Sequence, residues 1–117
     1  MKRYTGSCHC GAVQFAFKAS KIDRATRCNC SICVRKGILM STEVVPPEQI
    51  EIADPDSLLA TYQFATNVAQ HHFCSRCGVH TFIEIRRKPE VYRINLGCVD
   101  ELDAMQLPTE VFDGKSL

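Results

Sequence analysis

The sequence predicts a small, mainly β domain, and three observations carry that expectation. Short runs of alternating apolar and polar residues are cut by turn signals, and no 3.6-residue periodicity is long enough for a major helix. Seven of the eight cysteines fall into three clusters: a CxC at Cys8 and Cys10, a CxCxxC at Cys28, Cys30 and Cys33, and a CxxC at Cys74 and Cys77. At 117 residues, 45% hydrophobic and 23% charged, the chain suits one globular domain over 1–117 with a modest core.

Charge and hydropathy exclude several partners. A formal net charge of +1, from 14 Lys plus Arg against 13 Asp plus Glu, provides no field suited to nucleic acid or to an anionic membrane. No window approaches the ~20 apolar residues that span a bilayer, and Met1 to Gly6 lacks an apolar signal stretch behind its basic start. The expected location is cytoplasmic, where disulfides are rare and clustered thiols are read as metal ligands or redox groups. Spacing favours metal. A disulfide across CxC is a strained ring, whereas two zinc-bound sulfurs need only converge at about 2.3 Å from the ion. On a strand, CxC would place both thiols on one side, so that His9 points away from Cys8 and Cys10.

Taken in order, Val13, Phe15 and Phe17 alternate with polar or small residues and predict a half-buried strand directly behind the Cys8-His9-Cys10-Gly11 turn. Ala25 to Cys30 reads as a second strand, and Ser31 to Lys36 as one helical turn that brings Cys33 back and ends at Gly37. A third strand is expected over Ile38 to Val45, stopped by Pro46-Pro47, and a fourth over Gln49 to Ala53, closed by the turn at Asp54-Pro55-Asp56-Ser57. Leu59 to Phe64 and Gln70 to Phe73 bracket a polar turn at Thr66-Asn67. Val79 to Ile85 and Val91 to Leu96 read as a hairpin around a basic loop, and Thr109 to Phe112 as an edge strand.

The thiols sort into two sets by local chemistry. Cys10 and Cys77 are each followed by glycine, where a metal knuckle needs positive φ, so Cys8, Cys10, Cys74 and Cys77 read as a closed structural zinc site. Such a site would staple the first strand to the later sheet, and zinc binding worth roughly 10 to 16 kcal/mol rivals the stability of a whole small domain. Cys28, Cys30 and Cys33 supply three ligands, the number that leaves an exchangeable fourth position on a catalytic zinc. A thiol entering there would be deprotonated, and an aldehyde beside it polarised, which points to chemistry on a carbon–sulfur bond.

Gly6-Ser7-Cys8-His9-Cys10-Gly11-Ala12-Val13, Cys28-Asn29-Cys30-Ser31-Ile32-Cys33, Phe73-Cys74-Ser75-Arg76-Cys77-Gly78 and Asn95-Leu96-Gly97-Cys98-Val99-Asp100 together resemble the glutathione-dependent formaldehyde-activating enzyme family, which also includes centromere protein V. The resemblance covers nearly the whole chain. It implies a tent-like β fold of small antiparallel sheets, a structural zinc on Cys8, Cys10, Cys74 and Cys77, and a second zinc on Cys28, Cys30 and Cys33. It also implies an activity like that of S-(hydroxymethyl)glutathione synthase, a carbon-sulfur lyase that joins glutathione and formaldehyde. Beside that enzyme the chain is compact, and segments that would close over a tripeptide are expected to be missing.

Other features have plainer readings. His9, His72 or His80 could close the second set and make it structural. Arg27, Arg35 and Lys36 flank it, either to meet substrate carboxylates or to balance thiolate charge. Cys98 reads as a small buried hydrophobe, and Phe15, Phe17, Phe64, Phe73 and Phe82 as core. The expected activity is a zinc-dependent lyase acting on a thiol such as glutathione and an aldehyde. The alternatives are a non-catalytic zinc domain used as a binding module, and a thiol redox sensor.

Overall fold

In the computed structural model, which describes residues 1–63, 69–85 and 91–116, strands alternate along the chain with one helix and several 3-10 turns. In chain order the strands are β1 (Lys2–Ser7), β2 (Gln14–Ala19), β3 (Ala25–Cys28), β4 (Met40–Ser41), β5 (Ile50–Ala53), β6 (Leu59–Tyr62), β7 (Gln70–Cys74), β8 (His80–Ile85), β9 (Val91–Ile94) and β10 (Thr109–Phe112), with helix α1 (Ser31–Lys36) after β3. They form three small sheets, ordered β1-β2-β5, β10-β3-β4 and β6-β7-β8-β9. Every strand pairing is antiparallel except β10 with β3, which runs parallel and places Phe112 beside Cys28. The mainly β, small-sheet fold class therefore holds, with that one parallel edge added.

Period-two alternation explains which faces meet. Tyr4 and Gly6 on β1 and Phe15, Phe17 and Ala19 on β2 turn inward, while their neighbours face solvent or are only partly covered. Phe82 from β8, Ile94 from β9 and Leu96 complete one core with Tyr4, Phe15 and Phe17. Phe15 meets Phe82 edge-on at 5.9 Å between ring centroids, and Tyr92 meets Phe82 edge-on at 5.6 Å, a geometry that aromatic quadrupoles favour. A bridge between Met40 of β4 and Asn95 just beyond β9 links the second and third sheets, and one between Val45 and Tyr92 ties the segment after β4 to β9. Gly6 bridges Val99 at a very close approach: a Cβ there would lie 2.5 Å from the Cys98 carbonyl and 2.6 Å from Phe15 Cζ.

Several expectations change in detail. β1 was not foreseen, because Gly6 and flanking polar residues dilute its apolar signal. Cys8 and Cys10 sit in the turn after β1 rather than on a strand, so alternation is not what aligns their sulfurs. The strand expected over Ile38 to Val45 shrinks to Met40–Ser41, and Cys30 falls beyond β3 as the cap of α1. The turn at Thr66-Asn67, Phe64 and the basic loop at 86–90 lie outside the described residues. No helix among the described residues is long and apolar enough to cross a membrane.

Candidate metal centres

The β1–β2 turn and the β7–β8 turn are built alike. Cys8 N donates to Val13 O at 3.0 Å and Cys74 N to Val79 O at 3.0 Å, so each turn closes a loop of six residues. Gly11 and Gly78 take φ of 80° and 77°, a region that side chains avoid. The two knuckles face each other and bring Cys8, Cys10, Cys74 and Cys77 together, with all four Sγ atoms within 4.8 Å of one another. Cys8 Sγ lies 3.6 Å from Cys10 Sγ, and Cys10 Sγ lies 3.8 Å from Cys74 Sγ. Val13, Leu58, Leu59 and Val79 pack around this cluster and shield its inner side from water. The backbone amides of Cys10 and Val79 hold the Cys77 thiol down to about 6, inside the range where a thiolate forms readily.

The second cluster is assembled by one strand end and one helix start. Cys28 ends β3, Cys30 caps α1 and Cys33 lies in its first turn, with the three sulfurs within 4.8 Å of one another. Backbone amides orient two of them. Cys30 N donates to Cys28 Sγ at 3.5 Å, and Cys33 N donates to Cys30 Sγ at 3.4 Å, so a thiolate performs the capping that Ser or Asp usually supplies. Gly37 then ends the helix at φ 65°, its amide bonded to the Cys33 carbonyl. Burial pushes the Cys33 thiol up to about 12, so in the absence of a cation this cluster resists carrying three negative charges.

Among the described residues no fourth His, Cys, Asp or Glu joins the Cys28 cluster. His9 is exposed at its own turn, and His72 is held by Thr61 at 2.9 Å and Glu84 at 3.4 Å. His80 is buried and 6.2 Å, ring to ring, from His71. Lys36 approaches the cluster from α1, half-buried, with Nζ 2.7 Å from His71 Nδ1. Burial lowers its pKa, while the three thiols of the cluster pull the other way. Arg35 instead bonds its own helix at the Ser31 carbonyl, and Arg27 lines a small cavity beside Cys28 and Cys33. Cys98 is half-buried; its thiol donates to the His80 carbonyl at 3.5 Å, and burial pushes it up to about 11.

Two residues near the second cluster have contacts that the sequence did not assign: His71, read there only as flanking the sheet, and Asn29. His71 is the partner of Lys36, and only the β7–β8 pairing brings it opposite α1. Asn29, between Cys28 and Cys30, binds the segment after β10, and a polar residue with donor and acceptor inside C-x-C is the signal that could have singled it out. A larger cavity, about 560 Å³, lies elsewhere, lined by Phe17, Ile22, Arg24, Thr42 and Val45. It contains no thiol, so its size is no guide to where the chemistry lies.

A small β protein with one four-thiol and one three-thiol cluster, each able to hold a metal ion, is the class that fold and site define. The family model for glutathione-dependent formaldehyde-activating enzyme matches residues 3–115, and the chain belongs to that family. A Halomonas elongata protein provisionally named glutathione-dependent formaldehyde-activating enzyme is 31% identical over 108 residues, covering 81% of this chain and 64% of that protein. The chain thus spans a little under two thirds of the length of that relative. The crystal structure of a Rhodobacter sphaeroides protein superposes with a TM-score of 0.76 at 31% identity, covering 91% of this chain and 99% of that one.

Proposed function

We propose that the chain is a zinc-dependent carbon–sulfur lyase of the glutathione-dependent formaldehyde-activating type, acting in the cytoplasm as a single domain over 1–117. It joins a thiol such as glutathione to an aldehyde, or reverses that step. The observation that carries this reading is the three-sulfur cluster of Cys28, Cys30 and Cys33, with no fourth protein donor among the described residues. The family membership supports the substrate class.

The donor sets fit zinc. Four sulfurs at about 2.3 Å from one ion stand roughly 3.8 Å apart on a tetrahedron, and the separations of 3.6 and 3.8 Å in the four-thiol set agree. Cys8, Cys10, Cys74 and Cys77 would hold a structural ion, and Cys28, Cys30 and Cys33 the ion of the reaction. A divalent cation there lowers the pKa of a bound thiol and polarises a neighbouring carbonyl.

The chain's own residues do the rest. The amides of Cys30 and Cys33 fix the directions of the Cys28 and Cys30 sulfurs. Lys36 places positive charge beside three thiolates, and His71 Nδ1 accepts from its ammonium and so holds it in place. In the forward direction the sulfur–carbon bond forms as the carbonyl π bond breaks, and the proton lost from the thiol ends on the new hydroxyl oxygen. Cys30→Ser tests the reading. The variant should stay folded with the four-thiol site loaded, yet lose formation of the hydroxymethyl thioether followed by NMR. Full turnover by this variant would sink the proposal.

A further inference from the structure

The segment after β10 is clasped to the residue that separates Cys28 from Cys30. Asn29 N donates to the Phe112 carbonyl at 3.2 Å, Asn29 Nδ2 donates to Asp113 Oδ1 at 3.0 Å, and Lys115 N donates to Asn29 Oδ1 at 2.8 Å. Ser116 Oγ donates to the other Asp113 oxygen at 2.7 Å, so the turn is also closed on itself. Gly114 lies so close that a Cβ at that position would overlap Cys28 Sγ, with Cys30 Cβ at 3.4 Å. Burial contributes little to this attachment. All four residues of β10 are exposed, Val111 at 70% and Phe112 at 48%, so hydrogen bonds rather than a core hold the segment down, and such segments open at low cost.

We propose that residues 112–116 form a strap that sets the size of molecule able to reach the Cys28, Cys30 and Cys33 sulfurs, with Asn29 and Asp113 as its latch and Gly114 as the residue that lets it close. The inference rests on the reading of this cluster as the thiol-accepting site. The cavity that reaches Cys28 and Cys33 is lined by Arg27, Asn29, Val34, Ile38 and Val111 and measures about 170 Å³, while Gly114 of the strap packs directly on Cys28 Sγ. Pockets that enclose drug-sized ligands run to roughly 300–1,000 Å³, so this one admits a small aldehyde. A peptide-sized thiol enters only when the latch releases.

Cysteine labelling of the metal-loaded protein tests this without any turnover. N-ethylmaleimide and a polyethylene-glycol maleimide share one reactive group and differ in bulk, and peptide mass spectrometry reads each cysteine separately. Asp113→Ala removes two hydrogen bonds of the strap, and the bulky-to-small labelling ratio at Cys28, Cys30 and Cys33 should rise about tenfold. Gly114→Val should raise it likewise by displacing the strap from Cys28, while the ratio at Cys77 stays constant. An unchanged ratio at the three-thiol cluster overturns the proposal, as does an equal rise at both clusters, which would mean general loosening. Loss of metal speeds both reagents alike and therefore also counts against it. If the enzyme reading alone were wrong, the protein would be inactive yet keep this size-dependent labelling.

Discussion

Lys36 Nζ stands 2.7 Å from His71 Nδ1, joining the helix that carries Cys33 to the middle of the four-stranded sheet. Three thiolates around a divalent ion leave one net negative charge, and Lys36 is the cation the fold presses toward them. Lys36→Met should weaken metal binding at the three-thiol cluster by about 10- to 100-fold, as loss of an outer partner does at other metal centres. Chelator competition on protein loaded with two ions per chain measures this. Equal affinity in the variant would show that Lys36 is merely packed there.

The two cysteine sets should differ in what their loss does. Cys74 is fully buried in the small cluster with Cys8 and Val13, and the ion it would share ties β1 to β7. Since structural zinc is worth roughly 10 to 16 kcal/mol, Cys74→Ser should leave the chain largely unfolded at 25 °C by circular dichroism. Cys33→Ser should keep the native spectrum. The reverse pattern would exchange the roles of the two sites.

Phe82 is the hinge of the main core, touching Phe15 edge-on, Tyr92 edge-on and His72 at 5.3 Å. Phe82→Ala should cost about 3–5 kcal/mol in urea unfolding, because the surrounding rings come from different sheets and cannot collapse together into the gap. A loss below about 1 kcal/mol would mean that the sheets re-pack freely.

Burial, aided by the nearby Lys36, holds His80 down to about 3 and His71 down to about 4, both below the 6.5 of an ordinary imidazole. Between those values and 6.5 the unfolded chain binds more protons than the folded one. Their contribution is therefore complete above about pH 6.5 and is lost as the pH falls through 6.5 toward 4 and 3. His80→Gln should flatten the fall in urea midpoint between pH 7 and pH 4.5, with acid release of metal common to both proteins. Parallel pH profiles would exclude a role for His80 in acid sensitivity.

The thiol spacing made three cysteine clusters legible, because ligands that are near in sequence converge through a local turn whatever the rest of the chain does, and the glycines after Cys10 and Cys77 marked the two alike pairs that make the set of four. Helix α1 and its stop at Gly37 were legible from local signals too, as were Gln14–Ala19 from its alternation and Val91–Ile94 from its apolar-rich run. β1 escaped because its inward positions are Tyr4 and Gly6, one amphipathic ring and one residue with no side chain. Its strand state depends on pairing with β2. At Cys8 and Cys10 the sequence offered both a strand and a glycine-dependent knuckle, and Gly11 at positive φ decides for the knuckle.

By itself the sequence determined which sulfurs are neighbours within each of the three cysteine clusters, since short separation along the chain limits how far apart they can lie, and it determined the mainly β composition of the domain; the meeting of Cys10 with Cys74 across 64 residues belongs to the tertiary structure. Tertiary structure alone decided what surrounds the sulfurs. Lys36 meets His71 across 35 residues, and Asn29 meets Asp113 across 84, and no local pattern encodes such pairs. They exist only because three separate sheets close on one core and carry those side chains to the same place.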